Sequence, residues 1–119
     1  LLQLCSLASI ADRPVGGISS AQQRFLMLAT ALAARPRVLL VDEPAAGLVE
    51  HERQELAELV RGIRSSGVAV VIIEHHMALI MALCDRIVVL NFGSKIAQGT
   101  PAEIRANPAV IDAYLGEAA

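Results

Sequence analysis

The 119-residue sequence has no tryptophan, one tyrosine and two phenylalanines, so it offers few surfaces on which nucleobases could stack. Its charges nearly cancel, to a net −2, which leaves no basic footprint for a phosphate backbone. Nucleic acid is thereby set aside as a main partner. The two cysteines, Cys5 and Cys84, lack metal-ligand spacing, and no secretory leader opens the sequence, so a cytosolic, reducing setting is expected. Long apolar runs are missing too: the longest, VAVVII at 68–73, falls far short of the ~20 residues a membrane helix needs. No G-x-S-x-G elbow supports a serine hydrolase.

What is present is a chain that is 55% hydrophobic and sized for one domain with one core. It opens with LLQLCSLASIADRP, which reads as the inside of an amphipathic helix, and we expect the sequence to be a piece of a longer protein. Residues 20–34 place Phe25, Leu28, Ala29 and Leu32 at helical spacing, behind a capping box of Ser19 and Gln22. Val38 to Val41 is a continuous β-prone run of the type buried on both faces in a parallel sheet. Residues 50–65 form a second amphipathic helix, with acids early and arginines late. Gly67 stops it, VAVVII forms a second buried strand, and 76–84 a short helix. RIVVLNFGSKIAQG predicts an antiparallel hairpin around Asn-Phe-Gly-Ser, and PAEIRA and PAVIDAYLG predict two helices that start on proline. The fold class is therefore α/β, with parallel strands, flanking helices and a C-terminal antiparallel hairpin.

Ligands in such sheets gather at the C-terminal strand ends. Asp42 and Glu43 follow the first strand, Glu74, His75 and His76 follow the second, and the helix start at Ser19 presents free N–H groups suited to an anion. Carboxylates for a hard cation, a histidine for an oxyanion and a helix start for phosphate together suit magnesium-nucleotide chemistry. A zinc cluster of Glu74, His75, His76 and Cys84 is disfavoured, because adjacent histidines on a strand point to opposite faces. Cys5 and Cys84 read as small apolar residues rather than nucleophiles.

These residues carry a resemblance. VLLVDEPAAGL resembles the Walker B motif and following loop of ABC-type ATPases, ISSAQQR their signature motif, and IIEHHM their switch-histidine segment, in the same order and spacing. ADRP, DEPAAGL, DRIVVL and AYLGEA are most similar to the ATP-binding subunits of branched-chain amino-acid importers. The resemblance covers essentially the whole chain and implies that residues 1–119 are the C-terminal portion of one ABC ATPase domain, of the P-loop NTPase fold. It implies that Asp42 helps hold Mg²⁺, through water, that Glu43 polarises the attacking water, and that His75 reaches the γ-phosphate. Ser19, Ser20, Ala21 and Gln22 match the signature motif, which in the family closes over ATP held by a second subunit in a head-to-tail dimer. The cofactors implied are ATP and Mg²⁺. The partners are a second ATPase subunit and membrane permease subunits, at the cytoplasmic face of the membrane.

The sequence also departs from the family pattern. Ala21 stands where the family has glycine, whose backbone approaches phosphate most closely, so Ala21→Gly is expected to raise turnover. Val49 replaces a polar residue at a helix start, at a cost of about 1 kcal/mol. His76 replaces an aspartate. No G-x-x-x-x-G-K-[ST] occurs, and the family's glutamine loop is missing, so these 119 residues alone are not expected to bind ATP tightly or hydrolyse it. Two functions compete: an importer ATPase subunit, and a non-catalytic interaction module or degenerate relic that pairs with a full ATPase. A non-transport ABC ATPase is a third, disfavoured by AYLGEA and the lack of basic patches.

Overall fold

A computed structural model describes residues 1–115 and divides the chain into two compact units, Leu1–His75 and the portion from His76 onward. The end of the AYLGEA motif lies outside the described residues.

In the first unit the opening is not the amphipathic helix its pattern suggested. It makes a single turn: Ser6 adopts a left-handed φ of 57°, the Ser6 N–H donates to the Gln3 carbonyl at 3.1 Å and the Leu7 N–H to the Leu2 carbonyl at 2.8 Å. That pair of bonds is a Schellman closure, which ends a helix even where the apolar periodicity continues beyond it. Short 3₁₀ turns at Ala8–Ile10 and Val15–Gly17 lead to α1, Ser20–Ala33. Ser19 caps α1 and, with Gln22, makes the predicted box: the Gln22 N–H donates to Ser19 Oγ at 3.1 Å and the Ser19 N–H to Gln22 Oε1 at 2.9 Å. Phe25, Leu28, Ala29 and Leu32 are buried as expected, and Ala21 joins them.

Strand β1 (Val38–Asp42), helix α2 (Glu50–Ser65) and strand β2 (Ala69–Ile73) then form a βαβ unit. The strands pair in parallel from Val38 opposite Ala69 to Asp42 opposite Ile73. Helix α2 buries Leu56, Ala57, Leu59, Val60 and Ile63, carries Glu50 and Glu52 in its first turn and Arg64 in its last, and ends before Gly67 at a φ of 96°. The strands depart from expectation. Only one face is covered, with Leu39 buried; on the other, Val38, Leu40, Val71 and Ile73 are exposed, Leu40 to 74%. A continuous apolar run has the composition of a doubly covered strand, but coverage depends on which elements lie above it, and among the described residues none shields this face.

The second unit contains α3 (Met77–Leu83), β3 (Ile87–Asn91), β4 (Ser94–Gly99), α4 (Pro101–Ala106) and α5 (Pro108–Val110), which runs into a π-helical turn at Ile111–Leu115. β3 and β4 form the predicted antiparallel hairpin, with an irregularity in register between Val89 and Leu90. Phe92 and Gly93 link them at φ of 47° and 77°, the two left-handed residues of a type I′ turn. The two proline-started helices appear as read, each with proline in its first turn. His76 caps α3, its Nδ1 accepting from the Leu79 N–H at 3.3 Å, the task an aspartate side chain would perform at a helix start.

Candidate functional site

The site lies in the first unit, where β1 and β2 end level with each other. Asp42 is the last residue of β1 and is exposed, and its carboxylate makes no hydrogen bond or ion pair among the described residues. A carboxylate with open lone pairs suits a hard, hydrated cation such as Mg²⁺, which needs only one or two such ligands. The next residue breaks the extended run: Glu43 takes a left-handed φ of 46°, uncommon for a residue with a Cβ and a recurrent mark of functional positions. Its N–H still donates to the Ile73 carbonyl at 2.8 Å, extending the ladder by one bond.

That turn brings the Glu43 carboxylate to the end of the neighbouring strand. Glu43 Oε1 lies 3.5 Å from His75 Nδ1, with the two side chains 54% and 73% exposed. The pair is open to solvent, so its Coulomb attraction contributes little to stability, and its interest is geometric. Because Nδ1 faces the carboxylate, Nε2 is left for another partner, and an imidazolium would donate from both nitrogens.

The predicted signature residues stand apart from this pair, with no hydrogen bond to either member. Ser19 Oγ and Gln22 Oε1 are occupied in the capping box, while the N–H groups of Ser20 and Ala21, in the first turn, have no intrahelical acceptor. Ser19 and Ser20 are exposed. Ala21 is 3% exposed. Val49 has the extended φ and ψ of a helix cap but no acceptor; Glu52 supplies only the return half of a box, its Oε2 accepting from the Val49 N–H at 3.0 Å.

Two residues that sequence reasoning gave no role in the loop organise it. Arg24 donates from Nη1 to the carbonyls of Glu43 at 3.1 Å and Pro44 at 2.6 Å, and from Nη2 to that of Ala46 at 3.1 Å. Glu74 Oε1 accepts from the Ala45 N–H at 2.7 Å. The available signal was that Arg24 is the sole charged residue of an otherwise neutral helix. Elsewhere, burial raises the thiol pKa of Cys5 and of Cys84, the latter with help from Asp85, which suits small apolar residues and not nucleophiles. No cluster of three or more potential metal ligands occurs among the described residues.

Comparison with known proteins adds a second line of information. Residues 94–119 match the family model described as branched-chain amino acid ATP-binding cassette transporter. The chain is 48% identical over 118 residues to the high-affinity branched-chain amino acid transport ATP-binding protein BraF of Pseudomonas aeruginosa, covering 98% of this chain and 46% of that protein. It is 43% identical, at the same coverage, to the corresponding protein LivG of Escherichia coli K12. Among solved structures, the ADP conformation of MJ1267, an ATP-binding cassette of an ABC transporter, superposes with a TM-score of 0.86 at 26% identity, over 97% of this chain and 47% of that one. The cbiO1 protein of Clostridium perfringens, part of the transporter complex cbiONQ, gives 0.84 at 29% identity, over 93% of this chain and 45% of that one. The chain thus spans about half the length of the relatives it matches.

Proposed function

This chain is related, over nearly its whole length, to the ATP-binding proteins of branched-chain amino-acid ABC transporters, and from that premise we propose that residues 1–119 form the C-terminal portion of one ATPase domain of an importer. Its cargo is branched-chain amino acids or a similar small solute. A second ATPase subunit pairs with it head to tail, and membrane permease subunits transmit the ATP-driven movement at the cytoplasmic face. No helix among the described residues is long and apolar enough to cross a membrane.

The approach of Glu43 to His75 at the end of the parallel strands carries this reading. Glu43 accepts a hydrogen bond from the attacking water and orients it. As an imidazolium, His75 would donate from Nδ1 toward Glu43 and from Nε2 to a γ-phosphate oxygen, so one ring aligns phosphate and water. Asp42 would hold Mg²⁺, and Ser19, Ser20, Ala21 and Gln22 would present the start of α1 to ATP held by the second subunit. When bound, Mg²⁺ would supply charge neutralisation on the phosphates. Phosphoryl transfer depends mainly on positioning and electrostatics, so Glu43 need not be a strong base.

ATP turnover by the complete cassette pair carrying this sequence tests the reading. Glu43→Gln lowers kcat by roughly 10²–10⁴-fold while ATP affinity is kept. An unchanged kcat sinks the assignment. The second reading is a non-catalytic interaction module that pairs with a full ATPase. Micromolar ATP binding by the 119 residues alone would count against that module and against the expectation that they are inactive by themselves.

A further inference from the structure

We propose that Arg24 and Glu74 are positioning residues that fix the catalytic carboxylate of Glu43 by holding the backbone of residues 43–46 from two directions. The proposal rests on the ATPase reading for its effect on rate, but its geometric content is independent of it.

The loop needs such support. Its first residue, Glu43, sits in the left-handed region, which disfavours a residue with a Cβ, and within the loop itself it is tied only by the Ala46 N–H donating to the Glu43 carbonyl at 3.2 Å. The remaining restraints come from outside. Arg24, on the second turn of α1, reaches the carbonyls of Glu43, Pro44 and Ala46 with one planar guanidinium, the geometry for which its rigid fork of donors is suited. It skips residue 45, whose N–H points the other way and donates to Glu74 at the end of β2. The second oxygen of Glu74 accepts from the His75 N–H at 3.3 Å. One carboxylate therefore bridges the backbone segments that carry the two members of the catalytic pair, and one guanidinium ties the first of them to the helix whose start bears Ser19–Gln22.

The bonds run in complementary directions, carbonyls to the cation and amides to the anion, so neither residue can substitute for the other. Pro44 is fully buried, so losing Arg24 leaves its carbonyl without a donor and without ready access to water. The Glu43 N–H still donates to the Ile73 carbonyl, but residues 43–46 lose their hold from α1 and the Glu43 side chain is less firmly placed against His75. A displacement of about 1 Å in a catalytic group can cost on the order of 10²-fold in rate, with substrate binding little affected.

The test measures hydrogen exchange at the Ala45 amide, and kcat and KM for ATP, all in the complete cassette pair. The variants are Glu74→Ala, Glu74→Gln, Arg24→Gln and Arg24→Lys, each checked by its melting temperature. Exchange at Ala45 should rise at least tenfold in Glu74→Ala. The rate kcat should fall about 10- to 100-fold in Glu74→Ala and Arg24→Gln with KM within about threefold of the parent. Glu74→Gln retains an acceptor for Ala45 and should recover part of the rate, whereas Arg24→Lys offers a single point of charge and should recover less. Unchanged exchange at Ala45 in Glu74→Ala overturns the clamp whatever the activity. Raised exchange with unchanged kcat overturns the positioning role and reduces both residues to structural ones. A parent protein that turns over no ATP, with Ala45 exchange still raised in Glu74→Ala, overturns the ATPase reading and leaves the clamp standing.

Discussion

Replacing Val49 by threonine should stabilise α2 by about 1 kcal/mol, a gain that comes from supplying the acceptor missing at a position otherwise built as a helix cap. Val49 has φ −79° and ψ 171°, the extended backbone a capping residue requires, and Glu52 already accepts from its N–H at 3.0 Å. The reciprocal bond is absent, since valine cannot accept from the N–H of Glu52. Threonine has the shape of valine and carries the oxygen; because Val49 is 52% exposed, its new hydroxyl is not forced out of water. The completed Thr-x-x-Glu box matches the one already present at Thr100 and Glu103, where the Glu103 N–H donates to Thr100 Oγ1 at 3.3 Å. Amide exchange within α2 is the suitable assay, because a chain of two units need not unfold in one step. A gain of about 1 kcal/mol slows exchange roughly fivefold. Val49→Ala, which removes the methyls and adds no acceptor, should leave it unchanged or faster. If threonine and alanine behave alike, the capping argument is wrong.

Ala21→Gly should destabilise the chain by about 1 kcal/mol, combining the loss of a buried methyl with the flexibility of glycine in a helix, and a shift of the urea midpoint to lower concentration would register it. A rise in stability would mean that the methyl is strained where it sits. The two thiols make stability fall in alkali. Burial raises the pKa of Cys5 and Cys84 in the folded state, so the folded chain keeps protons that the unfolded chain has lost. Their contribution is complete below the unfolded thiol value and is lost as pH rises through the folded one. Urea midpoints of the parent and a Cys5→Ala, Cys84→Ala double variant, compared under reducing conditions from about pH 8 to pH 11, should converge as pH rises. Parallel curves would refute this.

The features legible in the sequence were local. The boundaries of α1 and α2, the turn at Phe92–Gly93 and the proline starts of α4 and α5 each depend on the chemistry of a few adjacent residues, and all are present. Asp42, Glu43 and His75 could be singled out because strand ends can be located from pattern alone. The opening turn could not be read, because a left-handed Ser6 carries no compositional sign that glycine would have given. Arg24 and Glu74 were missed as organisers because their partners are backbone groups 19 to 22 and 29 positions away, and backbone carbonyls and amides look alike in every sequence.

The strand parity links the two largest surprises. Asp42 is in step with Val38 and Leu40, and its partner Ile73 with Val71, so the proposed cation ligand projects from the same face of the sheet that exposes its apolar side chains. The turn at Glu43 makes this arrangement possible: by leaving the extended conformation directly after Asp42, the chain points one carboxylate out from the bare face and swings the next across the strand end to His75, a division of roles that two residues in regular strand geometry could not achieve.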